Sequence, residues 1–154
     1  MEQTLQNRDR LIVNKLPRTM ARLTGNPYVP VRGDIIVFHL NSEADQPGGS
    51  GERQLIKRVV GVPGDRVVVS DGQVVIYNSE NPNGFNPDTS GLYPAVSGVT
   101  PGEVSIDVGE GEVFVLGDNR VNSLDSRSFG TVQSQNIVGD LAFRIFPLSS
   151  VRQF

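Results

Sequence analysis

Lys57 is one of only two lysines in this 154-residue sequence; the other is Lys15, and the remaining basic residues are Arg. It lies in the run Gln54 to Val62, QLIKRVVGV, whose composition reads as a strand. Period two places Leu55 and Val59 on the face of Lys57, and Ile56 and Val60 on the other. An ammonium among apolar neighbours is costly unless its charge is paired or lost. Burial lowers an amine pKa, and a neutral lysine is a competent general base. The bland alternative is a strand lysine that snorkels to water or guards a sheet edge.

A second feature is the polar string Gly117-Asp118-Asn119-Arg120-Val121-Asn122-Ser123-Leu124-Asp125-Ser126-Arg127, directly after the apolar run Val113 to Leu116. Asp, Asn and Ser at this density favour Asx turns and bonds from side chain to backbone. Asp118 with Arg120, and Asp125 with Arg127, can form a local lattice of ion pairs. Such a lattice is either structural or a rigid mount that presents Ser123 or Ser126 to a neighbouring strand. Arg120 stands at the third position, where a Ca²⁺ loop needs an acidic ligand. Asp118 and Asp125 could form a glycosidase pair, but each has an Arg two residues on, which favours structural pairing.

Composition excludes much else. There is no Cys, so thiol catalysis, Cys-zinc sites and disulfides are ruled out. The single His39 excludes a His-rich metal site, and it reads as an exposed residue at a strand end. No Ser fits G-x-S-x-G, and no glycine motif of the P-loop or dinucleotide type is present. Fourteen basic against 17 acidic residues, net −3, argue against nucleic-acid binding. No apolar stretch approaches the roughly 18 residues of a membrane span. No cofactor or metal is expected.

The elements that must position these residues are strands. Leu11 to Leu16, Ile35 to Leu40, Gln54 to Val62, Val113 to Leu116 and Ile137 to Phe146 are apolar and strand-sized. Asp71-Gly72 between two β-branched runs, over Val67 to Tyr77, predicts a hairpin with a type I′ turn. Gly and Pro total 27 residues, which implies many turns. Asn78 to Gly102 is rich in Asn, Pro, Gly and Ser; it reads as a lid, an insertion or a variable excursion, with a solvated loop expected around Phe85, Leu92 and Tyr93. No amphipathic helix or repeat stands out. The class is mostly β, with a partly closed, barrel-like sheet.

Three blocks then resemble consecutive signature boxes of the type I signal peptidases. They are Arg32-Gly33-Asp34-Ile35-Ile36-Val37-Phe38, Ile56-Lys57-Arg58-Val59-Val60-Gly61-Val62-Pro63-Gly64-Asp65, and the string from Gly117 to Gly130. The resemblance covers essentially the whole chain; Asn78 to Gly102 falls where that family is most variable. It implies a signal-peptidase-like, partly closed β-barrel core, shared with self-cleaving repressor domains, with a small variable β/loop excursion. Residues 1–66 and 112–154 are expected to form the catalytic β core, and 67–111 a variable hairpin and loop insertion.

The family consists of membrane-anchored serine proteases with a Ser/Lys dyad, acting on signal peptides of secreted preproteins at the extracytoplasmic side of the cell membrane. By resemblance Lys57 is the general base, Ser123 a hydroxyl that orients it at hydrogen-bond distance, and Asp125 with Arg127 the supporting ion pair, with Arg58 nearby. Backbone of Gln54, Leu55 and Ile56 is expected to pair with an extended substrate. Leu5, Val37, Leu55 and Ile56 match positions lining shallow apolar pockets.

The family's nucleophilic Ser precedes a Met in a Ser-Met-x-x-Thr-Leu run. Met1-Glu2-Gln3-Thr4-Leu5 matches from the Met onward. The Ser is therefore expected immediately before Met1, and the chain as given is expected to fold without cleaving peptides. Two other readings are a non-catalytic peptide-binding module using an open strand edge, and a self-cleaving repressor domain, which the long string and the Gly-Val-Pro-Gly-Asp turn disfavour.

Overall fold

The structure, a computed structural model, describes residues 10–15, 19, 23, 28–40, 53–96, 98–146 and 152–153; for 10–11, 142–146 and 152–153 it describes the backbone only. Ten strands are defined among them: β1 (Arg10–Asn14), β2 (Ile35–Leu40), β3 (Arg53–Gly61), β4 (Arg66–Ser70), β5 (Gln73–Tyr77), β6 (Val104–Asp107), β7 (Glu112–Leu116), β8 (Val132–Gln133), β9 (Ile137–Phe146) and β10 (Arg152–Gln153). The chain is mostly β. The larger sheet runs β1-β9-β2-β3-β7-β8, with β10 also on β9, and the smaller runs β5-β4-β6. All pairings between strands are antiparallel.

The larger sheet curls without closing. Its edge strand β8 leads through the 3-10 turn Ser134–Asn136 straight into β9, so β8 and β9, on opposite sides of β2-β3-β7 in the sheet order, line one interior. That interior holds Ile36, Phe38, Val59, Val113, Val115, Val132 and Ile137. Alternation sends Val60, Phe114 and Leu116 to the other face, where they pack on Val67, Val69, Val74 and Ile76 of the smaller sheet. Each of β3 and β7 is thus apolar on both faces, as a strand between two cores must be. At the hairpin tip Asp71 and Gly72 both take positive φ, 49° and 76°, as a type I′ turn requires.

The segment 78–102 is not a solvated loop. Phe85 pairs with Ile76 in an isolated bridge and packs against the core of the smaller sheet. Asp88, Tyr93 and Thr100 are buried, and only Leu92 of the three apolar residues singled out in this segment is well exposed. His39 is also not an exposed strand-end residue: it is half-buried inside β2, opposite Gln54. Met1 and Leu5 lie outside the described residues.

Candidate active site

β3 is the strand that carries Lys57, and its two edges differ. From Arg53 to Arg58 it pairs with β2, Lys57 opposite Ile36 and Ile56 opposite Val37. On the other edge β7 pairs only from Arg58 onward, with Leu116 opposite Arg58. Among the described residues, no strand covers that edge from Arg53 to Lys57. The N–H of Val59 donates to Asp34 O at 2.8 Å, on the β2 side. Peptide groups alternate along an extended strand, so those of Lys57 and Leu55 also face β2, and those of Ile56 and Gln54 face the open edge.

The Lys57 side chain shares a face with Leu55 and Val59, and Ile36 lies directly across on β2. Burial pushes its amine below the ordinary lysine range, and Arg53 pushes the same way; the carboxylates of Asp125 and Asp118 pull back up. Val37 and Ile56 stand opposite each other on the reverse face, where Ile56 packs on Ile35 and Leu141. Leu55 packs instead against the interior of the larger sheet, and Gln54 is exposed at the strand start. Of the five positions expected along the substrate, the four within the described residues therefore lie together on one strand pair but on both of its faces.

Gly117 follows β7 and brings the polar string against Lys57. A Cβ built on it would stand 2.1 Å from Ser123 Oγ and 3.7 Å from Lys57 Cδ. Ser123 and Lys57 thus flank the same bare backbone. The Ser123 oxygen is buried but makes no hydrogen bond of ordinary geometry, to Lys57 or to any other group. The direct bond expected from the sequence is not formed. The hydroxyl is lodged beside Gly117.

Asp125 is fully buried. It accepts from Arg127 Nε at 2.8 Å, from Arg127 Nη2 at 2.9 Å and from the N–H of Gly117 at 3.1 Å. It also caps the one-turn helix Ser126–Phe129 through the Arg127 N–H. Burial alone would raise its pKa, but the Arg127 hydrogen bonds, the Gly117 N–H and the Arg127 charge hold it below the ordinary carboxylate range. Ser126 accepts from the N–H of Val115 at 2.9 Å, so its hydroxyl pins the string to β7.

The lattice is partly long-range. Asp125 pairs with Arg127 as its spacing suggests. Asp118 does not pair with Arg120. It takes a two-point bond from Arg58, Nε and Nη2 each at 2.9 Å, while Arg58 Nη1 donates to Gly33 O at 2.8 Å. Arg120 turns to Asp88, 32 positions earlier, and to Thr100 Oγ1 at 2.8 Å. The sequence offered no signal for Asp88 or Thr100 as partners of Arg120, which lies 32 and 20 positions away. Among the described residues, no group of three or more acidic, His or Cys side chains could hold a metal ion.

Residues 1–146 match the family model described as signal peptidase, peptidase S26. A signal peptidase I of Leptolyngbya laminosa is 39% identical over 146 residues, 95% of this chain and 64% of that protein. One of Bacillus caldolyticus is 35% identical over 158 residues, 96% of this chain and 75% of that protein. The chain thus spans about two thirds to three quarters of the length of such relatives. A crystal structure of a signal peptidase I from Enterococcus faecalis V583 superposes with a TM-score of 0.51 at 29% identity, covering 74% of this chain and 97% of that one. The chain belongs to the signal peptidase family, peptidase S26.

Proposed function

We propose that this chain is the catalytic part of a membrane-anchored signal peptidase that removes signal peptides from secreted preproteins, with Lys57 as general base. The observation that carries the reading is the coincidence on β3 of a half-buried amine at Lys57 and, at Gln54 and Ile56, an edge that no strand among the described residues covers. An extended substrate adds to that edge as a strand, which places one of its carbonyls beside the amine. Val37, Leu55 and Ile56, with Leu5, contact its side chains. The reaction lies on the extracytoplasmic side of the cell membrane and uses no metal or cofactor.

The nucleophile is a Ser hydroxyl immediately ahead of Met1 in the whole protein. Its proton passes to neutral Lys57 Nζ as its oxygen bonds to the scissile carbonyl carbon. The C–N bond then breaks, and the departing amine takes the proton from the Lys57 ammonium. Lys57 then takes a proton from water as the water oxygen bonds to the ester carbonyl carbon, and returns it to the Ser oxygen as the ester C–O bond breaks. Ser123 makes no direct bond to the amine and orients it by occupying the space beside the lysine stem at Gly117, and the Asp125–Arg127 pair fixes the loop that bears Ser123. Residues 1–66 and 112–154 form the catalytic core and 67–111 an insertion, a division supported by the separate sheet β5-β4-β6.

The test compares the 154-residue chain with the same chain preceded by Ser on a signal-peptide substrate. Cleavage is expected only with the added Ser, and is expected to vanish with Lys57→Ala. Peptide binding without cleavage by either form would favour the binding-module reading instead. Cleavage by the 154 residues alone would move the nucleophile to another hydroxyl.

A further inference from the structure

The excursion 78–102 touches both elements of the proposed dyad machinery through one buried relay. The Tyr93 ring lies 5.1 Å from the Arg58 guanidinium, next to Lys57 on β3. The Tyr93 hydroxyl donates to Asp88 Oδ1 at 2.8 Å. Asp88 in turn accepts from both Nη atoms of Arg120, Nη1 at 2.6 Å. Arg120 Nε donates to Gly117 O at 3.1 Å, and Arg127 Nη2 donates to Arg120 O at 2.7 Å. A second strut runs from Arg127 Nη1 to Pro101 O at 2.8 Å. Asp88, Tyr93, Arg58 and Arg120 are all at least nine-tenths buried.

We propose that Asp88 and Tyr93 are positioning residues: through Arg58 and Arg120 they hold the loop Gly117–Arg127 against β3 and so keep water from the Lys57 amine. The inference rests on the reading of Lys57 as general base. A relay of this kind does not need to be buried for the excursion to fold, since that segment already has the Ile76–Phe85 bridge and the core of the smaller sheet. The Asp88 carboxylate bonds Arg120, and the Tyr93 ring lies against Arg58. A buried pair is a weak source of net stability but a strong constraint on geometry when its bonds are complete.

The consequence falls on Lys57. The charges that act on its amine are those of Asp125 and Asp118 from the loop and Arg53 from its own strand, with burial the dominant influence. If the loop lifts, water reaches the amine and its pKa rises, although Asp125 recedes at the same time. Only two lysines are present, so the Nζ titrations of Lys57 and exposed Lys15 are separately readable by carbon NMR of the lysine ε-methylene, with Lys15→Arg giving the assignment.

The experiment uses the 154-residue chain with Asp88→Asn, the milder Tyr93→Phe, and exposed Glu80→Gln as control. Asp88→Asn strands the Arg120 cation, so if that variant does not fold, Tyr93→Phe decides. Two quantities are measured: the Lys57 midpoint and the hydrogen-exchange rate of the Gly117 amide, which donates to Asp125. Both are expected to rise in Tyr93→Phe, with Lys15 and the Glu80→Gln control unmoved. A folded Tyr93→Phe chain with both quantities at their wild-type values overturns the proposal and leaves a merely structural contact. A wild-type Lys57 that titrates in the ordinary lysine range, with faster Gly117 exchange in Tyr93→Phe, sinks the general-base reading while the positioning role stands.

Discussion

Lys57 and Ser123 meet across Gly117, whose missing side chain is the space that lets the Ser123 hydroxyl sit beside the lysine stem. The spacing admits no Cβ: Ser123 Oγ would lie at 2.1 Å and Ser123 Cβ at 2.7 Å from it. Gly117→Ala is therefore expected to push Ser123 off the site. Overpacking of a buried position typically costs about 1–3 kcal/mol. A misplaced base partner costs on the order of 10²-fold in turnover. Urea unfolding and cleavage by the Ser-extended chain measure the two. Wild-type turnover in Gly117→Ala would mean that Ser123 has no orienting role.

The Lys57 titration gives stability a pH slope. Its folded-state pKa is depressed, chiefly by burial. The unfolded chain therefore holds a proton that the folded chain has released, over the window from the depressed value up to the ordinary lysine value. Stability rises with pH across that window, and the contribution is lost as pH falls through the folded value. Lys57→Met should flatten this slope and match or exceed wild-type stability at neutral pH, while abolishing cleavage. Lys57→Arg should also be inactive, since a guanidinium stays protonated. An unchanged slope in Lys57→Met, followed by chemical denaturation from neutral to alkaline pH, would contradict the assignment.

Asp125 and Asp140 are expected to move stability in opposite directions. Burial acts against the Asp125 charge but Arg127 and Gly117 prevail, so its stabilisation is present above the ordinary carboxylate value and is lost as pH falls toward its lower folded value. Asp125→Asn leaves Arg127 short of a counter-charge, and breaking such a pair costs about 3–5 kcal/mol. Asp140 accepts from the Tyr28 hydroxyl, and burial with the nearby Asp34 charge raises its pKa despite that bond. The proton it retains stabilises the fold below the ordinary carboxylate value, and that contribution fades as pH rises through its raised value. Asp140→Asn keeps an acceptor for Tyr28 and is expected to be more stable than wild type at neutral pH. Thermal melts at neutral and acidic pH separate the two cases.

A bound peptide should protect amides by parity. Ile56 and Gln54 face the edge that no strand among the described residues covers, whereas Leu55 and Lys57 already face β2. Amide exchange with an uncleaved signal-peptide analogue is expected to slow at Gln54 and Ile56 and to stay level at Leu55 and Lys57. Equal protection at all four, or none, would rule out strand addition at this edge.

Much of this fold is written in local pattern. β2 and β9 are continuous apolar or alternating runs, and Asp71-Gly72 carries its turn in its own backbone preference. β6 and β8 escaped notice because four and two residues are too few to show a period; neighbours define them. The site divides the same way. Asp125 finds Arg127 because an N-cap aspartate already faces the first turn of its helix. Asp118 and Arg120 have the same spacing, but Arg120 starts the 3-10 turn Arg120–Asn122 and its side chain leaves in another direction. Their partners, Arg58 and Asp88, are a matter of tertiary proximity that spacing cannot encode. The resemblance supplied the roles of Lys57 and Ser123; residue types alone left Lys57 open to an ordinary edge-guarding role.

The changeover at Arg58, where β7 takes the edge that is open before it, acts as an end stop. Leu116 fills the place opposite Arg58, and Gly117 stands beside Lys57. In the proposed reaction a guest strand can lie straight along Gln54 to Ile56 but must leave the sheet at the level of the amine. The peptide bond presented to Lys57 is then the last one the sheet can hold extended. Such a gauge would choose the bond by where the guest runs out of track, leaving its side chains only a vote on whether it docks at all.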